Sequence, residues 1–458
     1  MTKDFYEEFQ EGSSKLWKQK IQVDLKGADY NETLVWKTNE GIDVKPFYHA
    51  DEFTSFLSGP KSKASNWRIA EEIDVTSITA ANSKALNATA KGAEAIIFNL
   101  LDDSLDLSKL VSGIDFKKVE VIINCQCLSK RLKEQVNTLQ EANNDTISIH
   151  CDIIHNLAKS GNWHKDLKID HSYFEAIIEN TKSLSVDLTT YQNAGATMIQ
   201  QLAYGLAHAN EYLNHFDNDS YNELKKDLDV TFTVAVGANY FFEIAKIRAL
   251  RKLWSLVAQE YNVKTNCTIV AKPSKRNKTI YDYNVNMLRT TTECMSAILG
   301  GADIVSNMPY DALYHKSNDF GDRIARNQLL ILKHESYFNK VNNPAEGAYY
   351  IESLTEQLAE KALKLFKDIE ANGGFLAQLK NGKIQQKIKE TAAKEQSAFN
   401  SNKISLVGTN KHPNPNDRMK DELEKHPFLE IKSRKTLIEP IIEKRLAEAL
   451  EQNRLKDE

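Results

Sequence analysis

The 458-residue chain carries 59 Lys and Arg against 63 Asp and Glu, a formal net charge of −4, so no basic surplus favours nucleic acid or an anionic membrane surface as a partner. Its length allows about two to three structural units and a sizeable core. An acidic N-terminal sequence and the lack of a long apolar run predict no secretion signal and no membrane-spanning helix. Five cysteines without paired spacing fit reduced thiols, so we expect a cytoplasmic protein.

Residues 1–65 precede the first predicted strand. A stretch of helical composition, DFYEEFQEGSSKLWKQKIQ, opens this segment. Four large aromatic side chains are spread along it, namely Trp17, Trp36, Phe47 and Tyr48. Such residues can contact a partner or cover the chain's own surface, and the sequence gives the two interpretations about equal weight. We treat this segment as an arm ahead of the main domain.

Eight short runs rich in β-branched residues, separated by mostly helical segments, follow between residues 66 and 330. They begin at Trp67, Ala93, Val119, Thr146, Ser183, Val230, Cys267 and Ala302. This alternation is typical of parallel β-α units with right-handed crossovers. The simplest arrangement is an α/β fold of the (β/α)8 TIM-barrel type, although the periodicity alone does not exclude an open doubly wound sheet.

The remainder of the chain is divided by a loop. Residues 331–408 indicate a C-terminal helical extension packed on the barrel. In the final segment, residues 409–458, the sequence GTNKHPNPNDRM clusters Pro and Asn and predicts a linker. Pro440 then suits the first turn of a helix. That helix would carry Ile441, Ile442, Leu446 and Leu450 on one face.

Several conspicuous residues have structural interpretations. Cys125 and Cys127 lie two apart on a predicted strand without a second cysteine pair, so we interpret them as core thiols and not as metal ligands. His208 lies in an apolar helical segment and is expected to be a hydrogen-bonded core histidine. Gly300 and Gly301 precede a strand, so they are expected to end a helix and not to form a dinucleotide-binding loop.

A basic cluster follows the seventh predicted strand. It consists of Lys272, Lys275, Arg276 and Lys278. Cations at the mouth of a barrel could meet a phosphate group of a ligand that enters there. A solvated loop explains the same residues more simply, and we adopt that interpretation.

Four long runs resemble the barrel domain of the methylmalonyl-CoA mutase family and together cover most of the chain. They are RTTTECMSAILGGADIVSNMPYDALYHKSNDFGDRIARN at 289–327 and the segments 187–216, 239–254 and 343–355. Because the runs are ungapped, mixed in chemistry and in the family's order, they are more specific than a short motif. The resemblance implies a (β/α)8 barrel. It also implies that the arm packs against a partner subunit, which makes Trp17, Trp36, Phe47 and Tyr48 candidate partner contacts.

By the same resemblance, catalytic members bind adenosylcobalamin through a C-terminal domain whose Asp-x-His-x-x-Gly motif supplies a cobalt ligand. No histidine of this chain stands two residues after an aspartate. The residues after the linker are too few for such a domain, so we expect the cofactor not to be bound by this chain. Asp152 and His155 have a different spacing, and we interpret them as structural.

The resemblance further implies two groups at the barrel mouth. One is a histidine after strand seven that polarises the thioester carbonyl of the substrate, and the other is a tyrosine near strand one. Here Pro273 stands near the histidine position, and proline has no side-chain donor. The segment 53–69, FTSFLSGPKSKASNWRI, contains no tyrosine. Two separate losses predict an inactive barrel.

These departures lead to a functional prediction. The chain is expected to be the small, non-catalytic subunit of a heterodimeric, adenosylcobalamin-dependent methylmalonyl-CoA mutase, an isomerase of propionate metabolism. The large subunit would bind the cofactor and interconvert (R)-methylmalonyl-CoA and succinyl-CoA. This chain alone would be inactive and would contribute no catalytic, cofactor-binding or metal-binding residue. One alternative is a catalytic acyl-CoA mutase barrel that works with a separate cobalamin-binding protein. Another is a chaperone-like or regulatory role on the partner.

Overall fold

The computed structural model describes residues 12–53, 64–143, 147–430 and 434–458. The beginning of the predicted N-terminal helical stretch therefore lies outside the described residues. So does the segment 54–63, which holds most of the departure near strand one. Among the residues described, no helix has both the length and the apolar character needed to cross a membrane.

The described part of the arm is built of short elements that are anchored to the barrel. They are helices α1 (Ser14–Asp24) and α2 (Tyr30–Leu34) and the antiparallel strands β1 (Trp36–Lys37) and β2 (Asp43–Val44). Glu40, in the loop between the two strands, accepts hydrogen bonds from the backbone N–H groups of Met198 and Ile199 at 3.0 and 3.1 Å. A carboxylate is favourable there because these N–H groups begin a helix and lack partners within it.

Eight parallel strands form the central sheet. They are β3 (Arg68–Val75), β4 (Ala95–Leu100), β5 (Glu120–Cys125), β6 (Ile147–Cys151), β7 (Ser183–Asp187), β8 (Asp229–Val236), β9 (Thr268–Pro273) and β10 (Ile304–Ser306). Their spatial order is β6-β5-β4-β3-β10-β9-β8-β7. The first and last barrel strands pair, with Ile304 beside Arg68. This pairing is that of a TIM barrel, so the predicted fold class is confirmed.

One junction of the barrel differs from the others. Within the described residues, β6 and β7 end the hydrogen-bonded order and do not pair with each other. We call this junction the seam. Its two strands are neighbours in the chain, and other contacts hold them together, as shown below.

Helices cover the outside of the sheet. They are α3 (Ile78–Ala90), α4 (Leu107–Leu110), α5 (Lys130–Asn143), α6 (Ile153–Ser160), α7 (Leu167–Thr181), α8 (Thr189–Asn193), α9 (Met198–Phe216), α10 (Asn222–Asp227), α11 (Tyr240–Glu260), α12 (Val285–Gly300) and α13 (Asp319–His334). Helix α9 begins with a capping box between Thr197 and Gln200. Helix α12 ends at Gly300, and Gly301 follows it in the left-handed region with φ 90°. The prediction that these glycines end a helix is confirmed.

The strands carry two cores, one on each face. The larger core lies between the sheet and the helices and includes Trp67, Phe98, Phe232 and Trp254, all fully buried. The smaller core lies inside the barrel and comprises Ala70, Ala95, Ile97, Ile122, Val270 and Ile304. Because both faces of the sheet are covered, the strands appear in the sequence as nearly continuous apolar runs. Polar residues complete the inner face and form the site described next.

Helices α14 (Tyr349–Ala371), α15 (Gly374–Lys380) and α16 (Lys383–Asn400) follow the barrel, and α17 (Glu448–Asp457) lies near the end of the chain. The predicted helix beginning near Pro440 is wrong, since α17 begins only at Glu448. Residues 434–447, which we call the strap, are not helical. Their backbone N–H groups donate to barrel segments and not to one another, as for Ile441 and the carbonyl of Ala158.

Candidate functional site

Inner side chains of β3, β4, β5 and β9 form a polar ladder across the barrel axis. Lys272 Nζ donates to Glu72 Oε1 at 3.1 Å. Asn99 donates through Nδ2 to Glu72 Oε1 at 2.9 Å and to Asp74 Oδ1 at 2.8 Å. Asn124 donates to Asn99 Oδ1 at 3.1 Å. The ladder residues thus hydrogen-bond to one another, and the side chains of Glu72 and Lys272 remain 27% exposed.

Burial and neighbouring charges set the ionisation of the ladder. Burial raises the pKa of Glu72, but the Lys272 ammonium and the Asn99 amide outweigh this and lower it overall. Burial lowers the pKa of Lys272, but the carboxylates of Glu72 and Asp187 raise it above its usual range. Burial lowers the pKa of His150, on β6, to about 4. At neutral pH the axis therefore holds a charged Lys–Glu pair and a neutral imidazole.

Little space remains inside the barrel. A cavity of about 20 Å³ is lined by Glu72, Ile97, Ile122, Asn124, His150, Thr233, Val270 and Lys272. A cavity of this size has room for roughly one water molecule. The described inner side chains thus leave a cavity far smaller than the about 300–1,000 Å³ that is typical of small-molecule pockets.

The strap crosses the carboxyl-terminal end of the barrel, where TIM barrels admit their ligands. Its backbone N–H groups donate to barrel carbonyl groups in four places: Ile438 to Gly161 at 3.1 Å, Ile441 to Ala158 at 2.7 Å, Lys444 to Asn193 at 3.1 Å and Leu446 to Arg276 at 2.9 Å. The acceptors follow β6, β7 and β9 in the chain. The chain's own backbone therefore lies against α6, α8 and the loop after β9.

Glu443 places a carboxylate of the strap in the mouth. Its Oε1 accepts hydrogen bonds from Thr190 Oγ1 at 3.2 Å and from Asn193 Nδ2 at 3.5 Å. Burial raises the pKa of Glu443, but the charges of Lys275 and Lys159 outweigh this and lower it overall. The strap thus supplies a carboxylate to the positive side chains of Lys275 and Lys159.

The basic cluster after β9 is not a solvated loop, so that interpretation is wrong. Lys278 is fully buried, and its Nζ donates to both carboxylate oxygens of Glu293 at 2.8 and 2.7 Å. Arg276 is also buried and donates from Nε to Glu395 Oε2 at 2.6 Å. Of the four cations only Lys275 is exposed. The interpretation failed because Glu395, which covers the loop, lies 119 positions from Arg276 in the chain.

His208 and Asp152 form the centre of a buried network beside the mouth. His208 is fully buried, with Nε2 at 2.9 Å from Asp152 Oδ1 and Nδ1 at 3.1 Å from the Tyr191 hydroxyl. Tyr212 donates to Asp152 Oδ1 at 2.7 Å. Asp152 also accepts from the backbone N–H of His155 at 2.8 Å and so caps α6. His208 is therefore the hydrogen-bonded core histidine that the sequence predicts, and the purely structural roles of Asp152 and His155 stay a prediction.

Two further sequence interpretations concern Pro273 and the cysteines. Pro273 ends β9 beside Val236 of β8 and so lies at the mouth without a side-chain donor.

All five cysteines are free thiols. Burial raises the pKa of Cys127 to about 12 and that of Cys125 well above its usual value. Nowhere in the described part of the chain do three or more His, Cys, Asp or Glu side chains lie close enough to hold a metal ion.

The four arm aromatics pack on the arm itself or on the outside of the barrel. Trp17 is 55% exposed and meets Phe47 edge-on, with ring centroids 6.2 Å apart. Trp36 is 51% exposed and meets Phe242 of α11 at 5.8 Å. Tyr48 packs against a tyrosine of α14 at 5.4 Å. About half of each tryptophan remains available for other contacts, and their partner role stays a prediction.

The mouth does not fit the cofactor and substrate that the resemblance implies. The polar ladder lies across the axis, the strap packs against α8 and the loop after β9, and Pro273 offers no hydrogen bond to a carbonyl. The chain also has no histidine in the spacing of the cobalt-ligand motif. We therefore derive no catalytic step at this barrel. Fold and site define a TIM-barrel protein with a charged Lys–Glu pair on its axis and a C-terminal segment packed against its mouth.

Comparison with known proteins gives the family. The family model for methylmalonyl-CoA mutase matches residues 99–453. The chain belongs to the methylmalonyl-CoA mutase family. It is 32% identical to a methylmalonyl-CoA mutase small subunit of Porphyromonas gingivalis over 442 residues, which cover 89% of this chain and 71% of that protein.

Two other relatives show how far the similarity extends. The chain is 29% identical to a methylmalonyl-CoA mutase of Rhizobium meliloti, over 86% of this chain and 63% of that protein. It is 32% identical to a methylmalonyl-CoA mutase large subunit of Porphyromonas gingivalis, over 56% of this chain and 37% of that protein. The chain thus spans less than two thirds of the length of these two relatives. Among solved structures, a Yersinia pestis dihydropteroate synthase matches 60% of this chain and 94% of its own. With a TM-score of 0.33 and 12% identity, this match is too weak to support an argument.

Sequence reasoning missed the polar ladder and the strap. Lys272 follows the inner Val270 on β9, and Glu72 and Asp74 follow the inner Ala70 on β3, and these alternate positions are a signal that could have found them. Nothing comparable points to Glu443. Its partners, Thr190 and Asn193, lie 253 and 250 positions away, so only the folded chain brings them together.

Proposed function

We propose that this chain is the small, non-catalytic subunit of a heterodimeric, adenosylcobalamin-dependent methylmalonyl-CoA mutase. The large subunit would bind the cofactor and the CoA ester and would interconvert (R)-methylmalonyl-CoA and succinyl-CoA. This chain would be inactive alone and would stabilise the large subunit by binding its folded state. The observation that carries the proposal is the barrel itself, with a cavity of about 20 Å³ inside and the strap across its mouth.

The relatives support a heterodimer. Both a small and a large subunit of Porphyromonas gingivalis are similar to this chain, and the similarity to the small subunit extends over more of it. The arm offers a surface for the large subunit, since Trp17 and Trp36 are each about half exposed. Together with Phe47 and Tyr48 they would take part in a large and rather apolar interface, as obligate assemblies require.

The proposed compartment is the cytoplasm. All five cysteines are free, and four of them are buried. Free thiols are usual in a reducing compartment, where disulfides are rare.

Mutase turnover with methylmalonyl-CoA and adenosylcobalamin tests the proposal. Three preparations are compared: this chain alone, a large subunit alone, and the two co-expressed. We expect turnover only where the large subunit is present, with one cofactor and one substrate bound per heterodimer. Two substrates per heterodimer would mean that this barrel is catalytic. Turnover by this chain with a small cobalamin-binding protein that has no barrel would mean the same.

A pair of variants sharpens the comparison. Lys275 is the exposed cation of the mouth and would attract a CoA ester if one bound there. On our proposal, Lys275→Ala in the co-expressed pair leaves the KM for methylmalonyl-CoA unchanged. Lys403→Ala, at an exposed lysine in the loop after α16, serves as the matched control. A rise in KM confined to the Lys275 variant would contradict the proposal.

A further inference from the structure

A cleft on the outer wall of the barrel has the size of a ligand site. It lies between α3 and α13, with a volume of about 380 Å³. Small-molecule pockets typically measure about 300–1,000 Å³. We call it the side cleft; its lining consists of Glu71, Lys84, Asn87, Lys91, Asp319, Phe320, Asp322, Arg323 and Arg326. None of these residues belongs to the polar ladder or the strap.

A buried ion pair forms the floor of the side cleft. Arg326 is 5% exposed, and its Nη1 donates to Glu71 Oε2 at 2.9 Å. The Nε of Arg326 is buried and makes no hydrogen bond to any described residue. A buried guanidinium with an unsatisfied donor is stabilised by additional negative charge nearby. The floor therefore favours an anion in the cleft.

The walls of the side cleft carry one surplus positive charge. Lys84 is paired with Asp322 at 2.7 Å. Lys91 and Arg323 are exposed, and no described residue forms a salt bridge with either of them. Asp319 is likewise unpaired and contributes one negative charge. Two unpaired cations against one carboxylate leave a surplus of one, which a monoanion would balance.

Phe320 gives the side cleft an apolar wall. Its ring is 51% exposed, and the Arg323 guanidinium lies over it at 5.5 Å from the centroid. The aliphatic stems of long cationic side chains add further apolar surface. A cation next to an exposed ring suits a ligand whose charged group adjoins an apolar body.

We propose that the side cleft binds a small organic carboxylate. Its charge would meet Lys91 and Arg323 above the buried Arg326, and its apolar body would lie against Phe320. A carboxylate fits better than a phosphate monoester, which carries between one and a half and two charges at neutral pH. The site is independent of the proposed mutase assembly, because it shares no residue with the mouth or the arm.

Isothermal titration calorimetry of the full chain tests the site with three probes that share a ring. Benzoate carries a carboxylate, phenyl phosphate carries a phosphate, and benzyl alcohol is uncharged. We expect saturable binding of benzoate, weaker binding of phenyl phosphate and no measurable heat from benzyl alcohol. Tighter binding of phenyl phosphate would overturn the carboxylate assignment. The absence of heat with both anions would overturn the site itself.

Variants locate the binding. Lys91→Gln and Arg323→Gln each remove an exposed cation and leave the floor intact. Each is expected to weaken benzoate binding about tenfold, since hydrogen bonds to charged groups are among the stronger ones. Lys403→Gln makes the same charge change at an exposed lysine elsewhere and should leave the affinity unchanged. If benzoate binds all three variants as it binds the unaltered chain, the proposal is wrong.

Discussion

The carboxylate of Asp152 accepts a hydrogen bond from the backbone N–H of Asp187 at 2.8 Å, across the seam between β6 and β7. These strands have no pairing of their own among the described residues, so this contact replaces a ladder hydrogen bond at the mouth. The same carboxylate caps α6 and holds His208. Asp152 therefore accepts hydrogen bonds from four groups of the surrounding structure, which accounts for a carboxylate at this position.

Breaking the buried pair of Lys278 and Glu293 is expected to destabilise the chain strongly. Both side chains are 0% exposed, and their charged atoms lie 2.7 Å apart. Lys278→Met leaves a buried carboxylate without its counter-charge, which costs about 3–5 kcal/mol. Urea unfolding measures this loss. As control, Lys20→Met breaks a pair whose side chains are 63% and 62% exposed, and should cost at most about 1 kcal/mol. Equal losses would contradict the prediction.

Acid is expected to destabilise the chain through His150. Burial lowers the pKa of His150 from 6.5 to about 4. Between these values the unfolded chain binds a proton that the folded chain does not, so the free energy of unfolding rises with pH and is lost as pH falls. The full shift corresponds to about 3 kcal/mol.

Urea unfolding at about pH 7 and at about pH 4.5 measures this pH dependence. The two pH values enclose most of the interval between the unfolded and the folded pKa of His150. His150→Gln should reduce the difference between the two conditions. His426→Gln, at a histidine that is 55% exposed, should leave it unchanged. A pH dependence that survives in the His150 variant would place its origin elsewhere.

Restoring a histidine at the mouth is expected to give no activity. Pro273→His adds an imidazole where family catalysts are expected to have one, but the cavity inside remains near 20 Å³ and the chain still has no histidine in the spacing of the cobalt-ligand motif. The isolated variant is assayed with methylmalonyl-CoA and added adenosylcobalamin, and circular dichroism confirms that it is folded. Measurable turnover by this variant would show that the barrel keeps a usable site.

Removing an arm tryptophan is expected to weaken binding to the large subunit. Trp17 is 55% exposed, and buried tryptophans at interfaces commonly contribute about 2 kcal/mol or more. Trp17→Ala should therefore reduce the affinity roughly thirtyfold, measured by surface plasmon resonance on immobilised large subunit. Leu256→Ala alters an apolar residue of α11 that is 45% exposed and is the control. An unchanged affinity for the Trp17 variant would remove this residue from the interface.

The barrel strands could be predicted because burial on both faces leaves a direct trace in the sequence. The strap could not. Ile441 and Leu446 are each 4% exposed, as a helical face would require, but Ile442 and Leu450 are 36% and 37% exposed. Apolar spacing reports which side chains are buried. It does not report whether the backbone bonds to itself or to another segment, and here it bonds to the barrel.

The charges of the mouth escaped prediction for a related reason. The sequence shows that Arg276 and Lys278 carry positive charges. Their solvent exposure depends on whether a carboxylate side chain packs against them in the folded protein. Glu293 lies 15 positions from Lys278, whereas Glu395 lies 119 positions from Arg276. Buried lysine and arginine are rare unless paired, so exposure was the reasonable expectation from sequence. The pairing is a property of the tertiary structure.

The strap also sets the order in which the chain can fold. It joins segments far apart in sequence, from Ala158 to Ile441 and from Arg276 to Leu446. During synthesis β6 and β7 emerge from the ribosome long before the strap does, and contacts of such long range form late. The strap can therefore dock only after the barrel segments that accept its hydrogen bonds have been synthesised, so its contacts belong to a late step of folding.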